Sequence, residues 1–227
     1  MSKPQEFHDY HTAISVTHLP NRNELPLSEA LRPRSFQELM LPDETIEKFS
    51  KMVETDQIMN MIFAGRPAAG KTSAARLLQK NCEALFVNAS SANDATYIKK
   101  NIFSYASTVP VSLKQKIVIL DEADYLTKAA QASLRALIED AYKNCRFILI
   151  VNDIKMIDAA LISRCMPVYF DIKVTEIDSM ISKYIRIVQE RLKERSIEMP
   201  NQKLNEIVKS KFPDFRAIAN EIEFATM

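Results

Sequence analysis

Two kinds of apolar segment follow one another along this chain. One kind is a short continuous run of apolar residues, and the other is a longer stretch in which apolar residues recur at helical spacing. The runs at 117–120 and 147–151 show no alternation of apolar and polar residues, which predicts strands covered on both faces. Further short strands are predicted at 58–63, 84–88 and 168–170. Strands that alternate with helices of this length indicate an α/β fold, a doubly wound parallel sheet whose functional strand ends lie on one edge.

The intervals between the strands, and the whole chain after Asp171, show helical spacing instead. Helices are predicted at 42–55, 73–78, 95–107, 128–142, 158–162, 175–195, 202–211 and 214–225. The last three follow the final strand, so they predict a separate all-helical domain. The predicted organisation is a flexible arm at 1–30, an α/β domain at 31–172 and a helical domain at 173–227.

Composition and charge exclude several functional classes. The chain has 30 basic and 29 acidic residues, so a nucleic-acid contact needs a local patch or several subunits. Its 3 cysteines and 3 histidines are irregularly spaced, which favours reduced thiols and a polar tail over metal sites. No run approaches the roughly 18 apolar residues of a membrane span, and the first residues are too polar for a secretory signal. We expect an intracellular protein without a membrane partner.

Both glycines of the chain lie in one eight-residue stretch, GRPAAGKT. This GxxxxGKT pattern is the P-loop, in which backbone N–H groups surround phosphates, a lysine reaches the terminal phosphates and a hydroxyl binds Mg²⁺. An ordinary strand-to-helix turn is the alternative, but an apolar strand precedes the loop and a helix follows it. The predicted ATP-binding residues are Gly65, Arg66, Pro67, Ala68, Ala69, Gly70, Lys71, Thr72 and Ser73.

Polar residues at later strand ends complete a candidate catalytic site. Asp121 and Glu122 follow an apolar strand about fifty residues after the P-loop, which is the pattern of a Walker B element. There Asp121 would support Mg²⁺ and Glu122 would polarise an attacking water. Asn152 ends the next strand, and Arg164 lies in an SRC triplet before the last strand. A turn-forming Asn and a surface Arg in an ion pair remain the structural alternatives.

Taken together, GRPAAGKT, ILDEAD, Asn152, SRC and FPDFR resemble the AAA+ ATPase subunits of sliding-clamp loaders. These include the large subunit of T-even phage clamp loaders and the small subunits of replication factor C. The resemblance covers about residues 29–225, and SRC, the clamp-loader form of the arginine finger, is its most diagnostic part. It implies replication in the cytoplasm, that of the host if viral, or in a eukaryotic nucleus.

The resemblance implies a role for each matching residue. Lys71, Asn152 and Arg216 would act on the ATP of their own subunit, with Arg216 closing the helical domain as a lid. Arg164 would act in trans on the ATP of the next subunit. Gln131 and Arg135, four residues apart on one helix, would lie at the subunit boundary. The implied cofactors are ATP and Mg²⁺, and the implied partners are other clamp-loader subunits, a sliding clamp and primer-template DNA.

The sequence departs from the family pattern at two places. The chain ends at Met227, so the helical collar domain of such subunits is expected to be absent from it, whether the chain is truncated or the collar is lacking or encoded separately. The region after the second strand lacks the basic residue that often joins DNA contact to the Walker B glutamate. Lys99 and Lys100 are the substitute candidates for DNA contact, against the alternative of an ordinary solvated helix face.

Rival functions also remain open. A helicase requires a second ATPase domain, for which the final helical segment is too short. A small-molecule kinase and an AAA+ subunit that assembles without turnover are the two remaining rivals.

Overall fold

A five-stranded, all-parallel sheet forms the centre of the computed structural model, which describes residues 25–110 and 114–227. The strands are β1 (Met61–Ala64), β2 (Glu83–Asn88), β3 (Lys116–Asp121), β4 (Cys145–Val151) and β5 (Met166–Tyr169). Their order across the sheet is β2-β3-β4-β1-β5. The predicted α/β class is therefore confirmed.

The register of the sheet brings the predicted catalytic positions together. Ala64 pairs with Val151, and Asn88 pairs with Asp121, so the strands end at similar heights. Because all strands are parallel, their carboxyl ends share one edge. The P-loop, the Walker B pair and Asn152 therefore begin at that edge, hereafter called the carboxyl edge.

Helices cover both faces of the sheet, and the last three helices form a separate helical domain. The helices are α1 (Leu27–Ala30), α2 (Asp43–Glu54), α3 (Lys71–Leu78), α4 (Ala95–Tyr97), α5 (Phe103–Ser107), α6 (Lys128–Asp140), α7 (Ala159–Ile162), α8 (Ile177–Glu194), α9 (Asn201–Lys211) and α10 (Phe215–Ala225). Two apolar clusters lie on the two faces of the sheet, and a third is built mainly from α8, α9 and α10. The helical domain thus has a core of its own.

The first predicted strand and the helix predicted at 95–107 differ from the observed elements. The first strand begins at Met61 rather than Ile58, because the backbone N–H of Ile58 donates to the Gln115 side chain at 2.7 Å. The helix predicted at 95–107 is split by a π-helical turn, Ile98–Ile102. This turn buries both of its isoleucines and leaves the residues between them on the outside.

The arm predicted at 1–30 lies outside the described residues up to position 24. Its last part differs from the expectation, because α1 is a helix whose Leu27 side chain is buried. The Leu27 N–H donates to Glu223 Oε1 of α10 at 2.9 Å. A helix of four residues is too short to form alone, so contact with the helical domain stabilises it. Sequence periodicity could not reveal such a segment.

Polar contacts join the helical domain to the segment before α2. Arg191 of α8 is only 5% exposed and contacts both carboxylate oxygens of Glu38, at 2.8 and 2.7 Å. Lys183 Nζ donates to the carbonyl oxygen of Leu39 at 2.8 Å. Burial lowers the pKa of Lys183. These contacts attach α8 to the loop that precedes α2.

The three cysteines are free thiols with little thiolate character. Burial raises the pKa of Cys82 to about 11 and the pKa of both Cys145 and Cys165 to about 12. Nucleophilic cysteine chemistry requires the thiolate, so these side chains are inert near neutral pH. Within the described ranges, no helix combines the length and the apolar character that a membrane span requires.

A buried lysine at the start of β3 binds the C-terminal end of α5. Lys116, at the start of β3, is 2% exposed. Its Nζ donates to the carbonyl oxygen of Tyr105 at 2.7 Å and to the carbonyl and hydroxyl oxygens of Thr108 at 3.1 and 2.7 Å. The same ammonium lies 4.2 Å from the centre of the Tyr105 ring. Lys116 therefore anchors the C-terminal end of α5.

We predict that Lys116→Met lowers the free energy of unfolding by about 2–4 kcal/mol, because it leaves buried oxygens without a donor. Lys48→Met is the control, since Lys48 is exposed and pairs with Glu44 on the same helix. We expect that control to change stability by no more than about 0.5 kcal/mol. Urea denaturation measures both. Equal effects of the two substitutions would contradict the structural role of Lys116.

Candidate nucleotide-binding site

The loop between β1 and α3 adopts a conformation that an ordinary residue enters at a cost. Gly65, Ala68 and Gly70 have φ values of 150°, 59° and 90°. A Cβ on Gly65 would lie 3.0 Å from the Cβ of Phe170, so glycine is also required there by space. Successive N–H groups in such a loop form a concave anion-binding surface at the start of α3.

Lys71 connects this loop to the end of β4. Its Nζ donates to the carbonyl oxygens of Gly65 and Arg66 at 2.6 and 2.7 Å, and to Asn152 Oδ1 at 3.1 Å. The side chain is buried, and burial lowers the pKa of Lys71 while Asp121 opposes that shift. The structure therefore brings Lys71 and Asn152 together, as their predicted roles require.

A hydroxyl and a carboxylate lie beside the lysine. Thr72 Oγ1 donates to Asp121 Oδ2 at 3.0 Å. Both groups are oxygen ligands, which Mg²⁺ prefers, and both line the same cavity. The residues present therefore fit a magnesium–nucleotide complex.

The Walker B turn has an unusual backbone. Glu122 has a φ of 57°, a left-handed conformation that non-glycine residues rarely adopt. Its N–H donates to Asp121 Oδ1 at 3.0 Å, which stabilises the turn. Such conformations occur often at functional sites, where the surrounding structure maintains them.

Asp124 is a supporting residue that the sequence motifs did not single out. Its Oδ2 accepts the backbone N–H of Asn152 at 3.1 Å. This contact joins the end of β4 to the Walker B turn and holds the backbone of Asn152 in place. A carboxylate three residues after Asp121 was visible in the sequence, but only the register of β3 and β4 shows its partner.

A cavity of about 440 Å³ lies against Lys71, Thr72 and Asp121, between the sheet and the helical domain, whereas Glu122 and Asn152 are not among its lining residues. This volume falls in the range of small-ligand sites. Of the predicted nucleotide-binding residues, those from Ala68 to Ser73 line it, together with Asp121 and Arg216. The remaining lining residues include Leu31, Pro33, Leu39, Met40, Leu41, Phe170, Tyr184 and Phe215.

Aromatic packing places Arg216 at this cavity. The ring of Phe215 lies 4.8 Å from Tyr184 and 5.7 Å from Phe212, measured between ring centres. A Cβ on Gly70 would be 3.8 Å from Phe215. The first turn of α10 is thus packed close to the P-loop, and Arg216 follows directly.

Two further arginines line the cavity without having been predicted. Arg32 forms an ion pair with Glu29 at 2.6 Å, and this contact lowers the pKa of Glu29. Arg76 lies one helical turn after Thr72, and its guanidinium lies 5.7 Å from the centre of the Phe86 ring. The spacing of four residues on α3 could have identified Arg76. No sequence pattern indicated that Arg32 would line the cavity.

Arg164 lies at the opposite edge of the sheet. It precedes β5, whose first residue, Met166, pairs with Met61 at the start of β1, whereas the P-loop follows the end of β1. At about 3.3 Å per residue, strands of this length separate the two edges by about 10 Å. Arg164 lines a second groove, and its guanidinium forms an ion pair with Glu139. It is therefore kept apart from its own P-loop.

The remaining predicted residues divide into buried and exposed ones. Gln131, predicted to lie at a subunit boundary, is 4% exposed in the single chain. Gln131 Nε2 donates to the carbonyl oxygens of Leu126 and Met156, and Oε1 accepts the N–H of Asp158. The amide side chain is thus bonded within its own chain. The other predicted residues are more exposed than Gln131. Arg135 is half-buried, and Lys99 and Lys100 are exposed.

Comparison with known proteins agrees with this geometry. Residues 61–174 match the family described as "ATPase family associated with various cellular activities (AAA)". Solved structures of the Thermotoga maritima RuvB Holliday junction branch migration motor share the fold. One of them has a TM-score of 0.58 at 20% identity, over 86% of this chain and 64% of that chain.

Similarity in sequence extends over most of the chain. The sliding-clamp-loader large subunit of Escherichia phage RB69 is 32% identical over 89% of this chain and 65% of its own length. The replication factor C small subunit of Archaeoglobus fulgidus is 30% identical over 87% and 62%, and mouse replication factor C subunit 5 is 31% identical over 89% and 61%. The chain thus spans less than two thirds of these relatives.

We predict that Lys71→Met weakens the binding of Mg-ATP by roughly thirtyfold or more, because a charged hydrogen bond of about 2–3 kcal/mol is lost. Isothermal titration calorimetry measures the affinity. Lys51→Met is the matched control, since Lys51 is exposed and lines the other groove. Equal affinities for the two variants would exclude the P-loop as the phosphate site.

Proposed function

Because the chain belongs to the AAA family of ATPases, we propose that it hydrolyses ATP as a subunit of a sliding-clamp loader. One observation carries this proposal: a complete P-loop site lies at the carboxyl edge, and Arg164 lies at the other edge. The names of the relatives from phage RB69, Archaeoglobus fulgidus and mouse support the more specific assignment to clamp loading.

ATP binding uses the groups that line the cavity at the carboxyl edge. The phosphates contact the N–H groups of the loop between Gly65 and Gly70, and the ammonium of Lys71 replaces a carbonyl contact with a phosphate oxygen. Thr72 and Asp121 would hold Mg²⁺, which would supply positive charge against the phosphates. Because the cavity borders α10, Arg216 contacts the γ-phosphate from the helical domain.

Hydrolysis requires a base and a positioned water. Glu122 accepts a proton from the attacking water, and the Asn152 amide orients this water against the γ-phosphate. Asp124 keeps Asn152 in place through the hydrogen bond to its backbone. Lys71 and Asn152 are already in contact, so the same residues sense the phosphate and align the nucleophile.

The transition state receives a further positive charge from another subunit. Arg164 cannot serve its own P-loop because the sheet lies between them, so we assign it to the ATP of a neighbour. An arginine finger contributes on the order of 10³–10⁵ in rate. Hydrolysis therefore depends on assembly, and ATP binding is coupled to the association of subunits.

The proposed partners are companion subunits, a sliding clamp and primer-template DNA. With a net charge of +1, contacts with DNA phosphates require a local basic patch or several subunits. Lys99 and Lys100, exposed within the π-helical turn, remain the proposed contacts with DNA phosphates. We propose that primer-template DNA and the clamp stimulate hydrolysis. An assembly-only subunit and a small-molecule kinase are the rival functions that the test must separate.

We predict that Arg164→Ala lowers kcat by about 10³-fold and Glu122→Gln by about 10²–10⁴-fold, because each removes a group that acts in the transition state. Steady-state release of inorganic phosphate at increasing chain concentration, with and without primer-template DNA, measures both. Arg186→Ala, an exposed change on α8, is the control and should keep the parental rate.

Two results would overturn the proposal. A parent chain as inactive as Glu122→Gln at every concentration would indicate an assembly-only subunit. Transfer of the phosphate to an added acceptor, without release of free phosphate, would indicate a kinase.

A further inference from the structure

We infer that Glu139 positions the guanidinium of Arg164 for use by a neighbouring chain. This inference rests on the proposed function, since Arg164 acts in trans only there. Glu139 lies near the end of α6, and Arg164 lies between α7 and β5, so the contact joins two separate elements at the amino ends of the strands.

The guanidinium is held from two sides. Arg164 Nε donates to Glu139 Oε1 at 2.6 Å, and Nη2 donates to the same oxygen. On the other side, Nη1 donates to the carbonyl oxygen of Ala160 and to Ser163 Oγ, the latter at 3.3 Å. Nη2 has a second N–H that no described contact uses. A phosphate oxygen approaching this end of the side chain can accept it without displacing Glu139.

Stability does not explain this arrangement. The side chains of Arg164 and Glu139 are 31% and 53% exposed, and ion pairs so exposed contribute little to folding. A carboxylate in the last turn of a helix is also unfavourable, because the carbonyl end carries partial negative charge. The benefit of the contact lies in orientation: a long side chain fixed before the partner arrives loses less freedom on association.

Helix α6 contacts both flanks of the segment that carries Arg164. Gln131 binds the backbone of Met156 and Asp158 before α7, and Glu139 binds Arg164 after it. Residues 131 and 139 are two helical turns apart and so share a face of α6. This face therefore sets the position of the finger relative to the sheet.

The decisive test is a double-mutant cycle on the full chain. Glu139→Ala removes the acceptor and retains the helix, since alanine is the best helix former. We expect it to lower the kcat of ATP hydrolysis by about ten- to a hundredfold, the range expected for a displaced catalytic group, with KM for ATP within about twofold. Glu139→Gln keeps an acceptor oxygen, so its kcat should lie between the kcat values of the parent and of Glu139→Ala. Asp140→Ala, the neighbouring exposed carboxylate, should match the parent.

The Arg164→Ala background separates positioning from a general structural effect. If Glu139 acts only through Arg164, then Glu139→Ala changes the residual rate there by less than about twofold. An equal loss in both backgrounds overturns the inference, as does a Glu139→Ala chain that is as fast as the parent. A faster chain would also overturn it, because Glu139 would then compete with the phosphate for the guanidinium.

A second measurement does not depend on turnover. In a Glu122→Gln background, sedimentation velocity measures the association of chains in Mg-ATP, and we expect Glu139→Ala to weaken it by about tenfold. An unchanged affinity overturns the inference. If Arg164→Ala weakens association and Glu139→Ala does not, then the proposed function stands and only the role of Glu139 fails. If Arg164→Ala affects neither association nor turnover, the trans role fails, and the role of Glu139 fails with it.

Discussion

The ammonium group of Lys71 is the contact on which the arrangement of the site depends. It joins two carbonyl oxygens of the P-loop to the Asn152 amide, so the loop after β1 and the end of β4 share one charge. Asp124 then ties Asn152 to the Walker B turn. Three neighbouring strand ends are thereby held in one geometry before any phosphate is bound, which is the preorganisation that electrostatic catalysis requires.

The parallel sheet imposes a second constraint, because it separates the proposed nucleotide site and Arg164 onto opposite edges. The P-loop residues and Asp121, proposed to bind the phosphates and Mg²⁺ of the chain's own nucleotide, lie at the carboxyl edge, and Arg164 lies at the amino edge. No rotation of the Arg164 side chain can cross the layer of buried strands. The proposed dependence of hydrolysis on assembly is therefore a consequence of topology, not of a regulatory addition.

The sequence was sufficient for the sheet, the P-loop and the Walker B pair, because continuous apolar runs and a glycine-dependent turn leave few alternatives. The prediction for Arg216 came from the resemblance of FPDFR to clamp-loader subunits, and Arg216 lines the cavity in the structure. The sequence did not identify α1, whose four residues are helical only through contact with α10. The roles of Asp124 and Glu139 were equally out of reach, because each depends on a partner that is distant in sequence and brought near by the fold. The buried partners of Gln131 were not predicted for the same reason, although its helix was.

The central claim is that one ATP site is built from two chains, and a mixing experiment tests it most directly. Arg164→Ala has an intact P-loop and no finger, whereas Lys71→Met retains the finger and loses the P-loop. Each variant alone should hydrolyse ATP very slowly, and an equal mixture should recover a substantial part of the parental rate because each supplies what the other lacks. If the mixture is only as active as the average of the two variants, then Arg164 does not act in trans and the account is wrong.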